Sequence, residues 1–221
     1  MLPFSPLHLI FLFFFLGLIL AFLQLGLLTL ALDKLGISVT SAVTLLICSL
    51  VGSLINLPLF SIKTEHPQKQ IALGRYHGIL RLKLRPFQNR TTIAINVGGA
   101  LIPIFMSIYL LRNSNLDVAN VLIAVTCVSV VCYFASKPIP GLGIGMPILV
   151  APVTAAIVGL LLGGPESAPL AYICGTLGVL IGADILRLRD IQALGTPVAS
   201  IGGAGTFDGI FLTGIVATLL A

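Results

Sequence analysis

Tryptophan is absent from this chain and charge is scarce: only 9% of its 221 residues are Asp, Glu, Lys or Arg, against about a quarter in soluble domains. Charge this sparse excludes an ordinary soluble domain. Residues that bind metals or form crosslinks are few as well. Cys48, Cys127, Cys132 and Cys174 all fall in apolar runs, and Cys127 and Cys132 face different sides of one helix. That excludes a disulfide framework and a zinc site. His66 and His77 stand in one loop with no Cys or acidic partner arranged around them, so no metal site is expected. No P-loop is present, and "GLGIG" lies between apolar runs instead of in a βαβ unit, so no cofactor is expected.

What is present is hydrophobic: 57% of the chain, in repeated runs of about 20 residues, the length that crosses about 30 Å of hydrocarbon. The expected fold class is all-α, a polytopic transmembrane helix bundle forming a single membrane domain over residues 1–221. Seven helices are expected near 7–31, 36–62, 91–112, 117–136, 146–163, 168–186 and 198–221, with a short basic loop at 63–90. The first run is too long for a signal-peptide core and has no Lys or Arg before Lys34, so it is read as a retained span.

With the N-terminus in the cytoplasm, every Lys and Arg except Lys34 and Arg112 falls on the inner side. Seven crossings then place the C-terminus outside. The net charge of +5 therefore reads as topogenic, and nucleic acid is not an expected partner. In the 63–90 loop, "ILRLKLRPF" alternates Leu80, Leu82 and Leu84 with Arg81, Lys83 and Arg85. An ordinary positive-inside loop has this composition, as does an extended segment lying on anionic headgroups.

Three runs that would lead from inside to outside open on glycines: "NVGGALIPIF", "LGIGMPILV" and "SIGGAGTFDGIF". Gly98, Gly99 and Ala100 match Gly202, Gly203 and Ala204, and Gly143 with Gly145 opens the middle copy. Such glycines allow close helix packing or an unwound backbone lining a cavity. With its prolines, the "SKPIPGLGIGMP" stretch is expected to be irregular or re-entrant.

Two carboxylates, Asp184 and Asp208, fall inside apolar runs. A charge near the bilayer centre costs about 2.5 to 3.5 kcal/mol on insertion scales, so such acids are functional candidates. Asp184 precedes Arg187 by three residues, so an ion pair between them is one reading. The other is a pair of acids on adjacent antiparallel helices, sharing one proton because two carboxylates in low dielectric do not both ionise readily.

The residues "IGADILRLRDI", "SIGGAGTFDGIFLTGIVATLLA" and "PIPGLGIGMP" resemble the domain of unknown function 1614 family, over roughly Asn96 to Ala221. The resemblance implies a multi-pass protein of a prokaryotic inner membrane. A remoter likeness is to the presenilin-like intramembrane aspartyl proteases, in which Asp184 and Asp208 would match the two catalytic aspartates. Here Asp208 follows Gly205, Thr206 and Phe207, where those proteases have Gly-x-Gly. Two functions stand open at this point. One is an intramembrane aspartyl hydrolase with Asp184 and Asp208 as catalytic residues and a membrane-embedded peptide as substrate. The other is a small proton- or cation-coupled transporter or channel with Asp208 as the ion-binding group. Asn96, Gly202, Gly203, Gly205 and Thr206 are the expected ion- or substrate-binding residues. A non-catalytic scaffold is the third alternative, the lipid bilayer is the expected surrounding, and a homo-oligomer is compatible with the chain.

Overall fold

The computed structural model of the chain describes residues 26–63, 90–139, 143–193, 198–203 and 209–221. Helices predominate. Helix α1 (Gly26–Lys34) and α2 (Val39–Gly52) meet at 116°, with Gly36 at φ +70° in the turn between them and Ser38 capping α2 by accepting the Ser41 N–H. Then come α3 (Ile102–Asn113), α4 (Val118–Ala135), α5 (Val150–Gly163), α6 (Ser167–Val179) and α7 (Gly209–Leu220). Asp117 caps α4 by accepting the Ala119 N–H.

Two helical runs among the described residues are long and apolar enough to cross a membrane, Val118–Ala135 and Val150–Ile185, or three if α1 and α2 form one broken span. The second run doubles back. On one straight helix Ala155 and Cys174 would lie about 28 Å apart, yet the Cys174 thiol reaches the Ala155 carbonyl at 3.7 Å. Gly164, at φ +53°, makes the turn, so α5 and α6 form an antiparallel hairpin.

Helix α6 is the centre of the bundle. Leu170, Ala171, Tyr172, Ile173 and Cys174 are all buried, as expected of a helix that is apolar on every side. Gly175, Gly178 and Gly182 let Ala155, Val128 and Ser129 of neighbouring helices come close. Small residues at such contacts are how helices pack in lipid, where no hydrophobic force drives them together.

The helices alternate, which gives the bundle two distinct ends. At one, Lys34 donates to the Thr218 and Leu219 carbonyls, the Ser167 hydroxyl to the Ala221 carbonyl, and the Asn120 amide to the Leu162 carbonyl. At the other, α2, α4 and α6 finish, α3, α5 and α7 begin, and the chain forms strands. There β1 (Asn56–Lys63) pairs antiparallel with β2 (Arg90–Asn96), and β2 pairs parallel with β5 (Val198–Ile201). A second ribbon joins β3 (Lys137–Ile139) to β4 (Gly143–Gly145). We refer to this as the sheet end.

These strands correct the all-α expectation. The helix expected over 36–62 stops at Gly52 and residues 56–63 are extended. Pro58 explains this, because a proline inside a helix removes a hydrogen bond and costs about 3 kcal/mol. The helix expected over 91–112 begins as strand β2, whose Thr91, Thr92, Ile93 and Ile95 are β-branched and favour the extended form. It then passes through a π-helical turn, Val97–Leu101, into α3. The helix expected over 198–221 likewise opens as β5, and that over 146–163 starts at Val150. The "SKPIPGLGIGMP" stretch contains the β3–β4 ribbon. Most of the helix expected over 7–31 and the "ILRLKLRPF" segment lie outside the described residues.

Candidate functional site

Asp184 sits where α6 changes winding. Residues Leu180–Ile185 form a π-helical turn, closed by the Leu186 N–H donating to the Ile181 carbonyl at 2.9 Å. The wider turn is anchored at Gly182, which lies directly on the backbone carbonyl of Ser129, leaving no room for a side chain. Single π-turns inside α-helices recur at functional sites.

From this turn the Asp184 carboxylate accepts the Gly202 N–H at 3.2 Å. Gly202 directly follows strand β5 at φ +77° and is itself followed by Gly203 at φ +86°, conformations that L side chains adopt only with strain. Its carbonyl lies against Gly99 of the first glycine pair. The first and third glycine-opened runs thus meet, side by side on parallel strands. Each of the three, the middle one included, enters its helix from a strand: β2 into α3, β4 into α5 and β5 into α7.

Asp184 also borders a cavity of about 480 Å³ between the β4–α5 segment, α6 and α7. Its walls are Ile144, Met146, Ile148, Leu149, Pro152, Val179, Leu212 and Val216, with Asp184 and Thr213 the polar side chains among the described lining. Gly209, the first residue of α7, completes it. The volume falls in the range of small-ligand pockets.

Arg187 is engaged elsewhere. Its guanidinium donates to the Asp190 carboxylate at 2.8 Å, to the Tyr133 and Ser136 carbonyls at 2.7 and 2.9 Å, and to the Ser136 hydroxyl at 3.3 Å. It also stacks 4.3 Å from the centre of the Tyr133 ring. The arginine thus ties the end of α4 to the segment after α6, where a cation complements the helix C-terminus.

The chain from residue 50 to residue 220 matches the family model described as protein of unknown function DUF1614. The chain belongs to the DUF1614 family. The match begins at the end of α2 and so takes in the β1–β2 pair as well as the stretch from Asn96 onward. No curated protein and no solved structure matches this DUF1614 chain; no match supports the presenilin-like resemblance.

Of the expected site residues, this DUF1614 protein brings Asp184 and Gly202 into direct contact. Gly203 follows in the same turn. Asn96 is fully buried and is not among the described residues that line the cavity. Its side-chain amide donates to the Ser53 carbonyl at 2.7 Å and the Asn56 side chain at 3.1 Å, while its oxygen accepts the Gly99 N–H at 2.7 Å and caps the π-turn. Gly205, Thr206 and Asp208 lie outside the described residues. Sequence reading missed Asn56, whose oxygen also accepts the Ser200 hydroxyl at 2.6 Å and so fastens β5 to β1 across β2, and Thr213. An Asn two residues before a Pro was the available sign that the helix had ended. Among the described residues no group of His, Cys, Asp and Glu could hold a metal ion.

Proposed function

We propose that this membrane protein is an intramembrane hydrolase of apolar peptide segments, working through a shared acid site formed by Asp184 and Asp208. The observation that carries the reading is a cavity bordered by both Asp184 and Gly209, the residue that directly follows Asp208 in the chain. Its walls are apolar and suit a hydrophobic side chain. In this reading the bundle crosses the membrane seven times with its sheet end on the cytoplasmic side, as the positive-inside bias expects.

The pair holds one proton. The ionised carboxylate takes a proton from water as the water oxygen attacks the peptide carbonyl carbon, and the protonated one gives its proton to the carbonyl oxygen. Collapse of the tetrahedral intermediate breaks the C–N bond, the departing nitrogen takes up a proton, and a new carboxyl group and amine remain. The Gly202 N–H fixes the direction in which the Asp184 carboxylate points.

A second reading, a small proton- or cation-coupled transporter or channel, draws on the strand-to-helix interruptions gathered at the sheet end, since discontinuous helices form ion sites in transporters. The test is incubation of the purified, lipid-reconstituted protein with synthetic single-span apolar peptides in ¹⁸O water. The expected result is labelled carboxyl termini, reduced by a factor of about 100 or more in Asp184→Asn and in Asp208→Asn. Labelled cleavage at an undiminished rate in Asp184→Asn refutes the acid site. Proton flux in proteoliposomes that disappears in Asp184→Asn, with no cleavage of any peptide, establishes the second reading instead.

A further inference from the structure

Strand β1 is an edge strand, yet Leu57, Leu59 and Phe60 are about half exposed. Leu50, Val51 and Leu54 continue the apolar surface back onto the end of α2. A bare apolar edge in water invites aggregation. At the far end of the ribbon the register sets Lys63 opposite Arg90, both exposed. Like charges facing each other destabilise a strand pair, and among the described residues neither has an ion-pair partner.

The order of rungs between these two features is informative. Phe60 pairs with Ile93, Ser61 with Thr92, Ile62 with Thr91, and Lys63 with Arg90. The Ser61 and Thr92 hydroxyls lie 3.3 Å apart. Lys63 therefore stands about 10 Å beyond Phe60 along the strand, and the ribbon passes from apolar through hydroxylated to cationic. That is the order met on leaving a bilayer: acyl chain, glycerol region, phosphate. Charge at the two ends of the bundle agrees. Among the described residues, beside Lys63 and Arg90 the sheet end carries Lys137, Arg187 and Arg189 against Asp184 and Asp190, whereas the opposite end carries Lys34 and Arg112 against Asp33, Asp117 and Glu166.

We propose that the β1–β2 ribbon stands in the membrane interface and that its Lys63–Arg90 rung binds the phosphate of an anionic phospholipid, whose acyl chains lie along Leu57, Leu59 and Phe60. The phosphate removes the repulsion across the rung, with the guanidinium offering a paired-donor fork and the ammonium a point charge. This is independent of the acid site at Asp184.

Native mass spectrometry of the purified protein, loaded with equal phosphatidylglycerol and phosphatidylcholine, counts the lipid retained. Retention of phosphatidylglycerol is expected to exceed that of phosphatidylcholine. A cation beside an anionic surface gives about a fivefold preference, so Lys63→Gln with Arg90→Gln should lower the excess by roughly 25-fold, while the exchange Lys63→Arg with Arg90→Lys keeps it. Because the chain has no Trp, Phe60→Trp supplies a single indole, excited at wavelengths where tyrosine does not absorb and expected to be quenched by lipid brominated in its acyl chains. Equal retention of the two lipids, an excess that survives the double Gln variant, or displacement of the lipid by inorganic phosphate overturns the proposal. So does indole emission from the Phe60→Trp variant that is quenched by aqueous iodide and untouched by brominated chains. Should the Gln variant fail to fold, wild-type retention decides, since raising salt from about 0.05 to about 0.5 M must weaken it.

Discussion

Replacing Gly202 by Ala tests the contact on which the Asp184 site depends. Two costs add at this position. The first is backbone strain, because φ +77° is unfavourable for any residue with a Cβ, at about 1 to 2 kcal/mol. The second is collision: a Cβ would lie 2.5 Å from the Ala100 Cβ, 2.7 Å from the Ala100 N and 2.8 Å from the Gly99 carbonyl carbon. Two of those atoms are backbone and cannot rotate away, so overpacking adds about 1 to 3 kcal/mol. Gly36→Ala isolates the strain, since Gly36 has φ +70° with open space around it. Gly209→Ala has neither cost and open space as well. At roughly 2 to 4 °C per kcal/mol for a chain of this size, Gly202→Ala should lower Tm by roughly 4 to 20 °C, Gly36→Ala by roughly 2 to 8 °C, and Gly209→Ala hardly at all. Far-UV circular dichroism in detergent follows the helical signal directly. If Gly202→Ala melts no lower than Gly36→Ala, the close approach of the two glycine pairs is wrong, and with it the placement of the Gly202 N–H on Asp184.

Arg187→Lys keeps a charge but cannot reach the Asp190 carboxylate, the Ser136 hydroxyl and two carbonyls together; a loss of about 2 to 4 kcal/mol is expected, and a melting temperature equal to wild type refutes the tie. Asn96→Ala removes the cap of the first π-turn and leaves the Ser53 carbonyl without its buried donor, for about 2 to 4 kcal/mol in all. Hydrogen exchange at the Gly99 amide should rise in that variant, and unchanged protection there would count against the capping role.

Helix α4 shows what could be read from the sequence: the span expected over 117–136 is a helix over Val118–Ala135, because Asp117 marks its start and the interior is apolar without interruption. The α5–α6 turn was readable for a similar reason, since "GGPES" is a plain break between two runs. The strands were not. Strands β2 and β5 are short and stand directly before long apolar runs, so a span-length hydropathy reading absorbs them into the helices, and the cues were β-branching and the paired glycines. The two aspartates stood out as charges in apolar surroundings, but one partner of Asp184 could not be guessed. It is a backbone N–H, presented by a glycine in the left-handed region, and no side-chain pattern announces a backbone donor. Arg187 misled for the opposite reason: three residues from both Asp184 and Asp190, it could serve either by spacing, and its contacts with the end of α4 go with Asp190.

The concentration of irregular backbone at one end follows from the demands of a bilayer. In hydrocarbon each peptide group must find its hydrogen bond inside the protein, so non-helical backbone survives only where it is covered by protein or borders a cavity. Strand β2, with Thr91, Ile93, Ala94 and Asn96 buried, has both of its edges paired, and beside it the Asn96 side chain bonds the Ser53 carbonyl and the Gly99 N–H while that of Asn56 accepts the Ser200 hydroxyl. The Gly202 N–H is matched by the Asp184 carboxylate, and a carboxylate is the strongest acceptor a side chain offers. Asp184 is held in an apolar wall in part by this donor, which the turn after β5 supplies. The same glycine that makes the entry possible aims that donor, which couples the stability of the sheet end to the orientation of the one carboxylate on the described wall of the cavity.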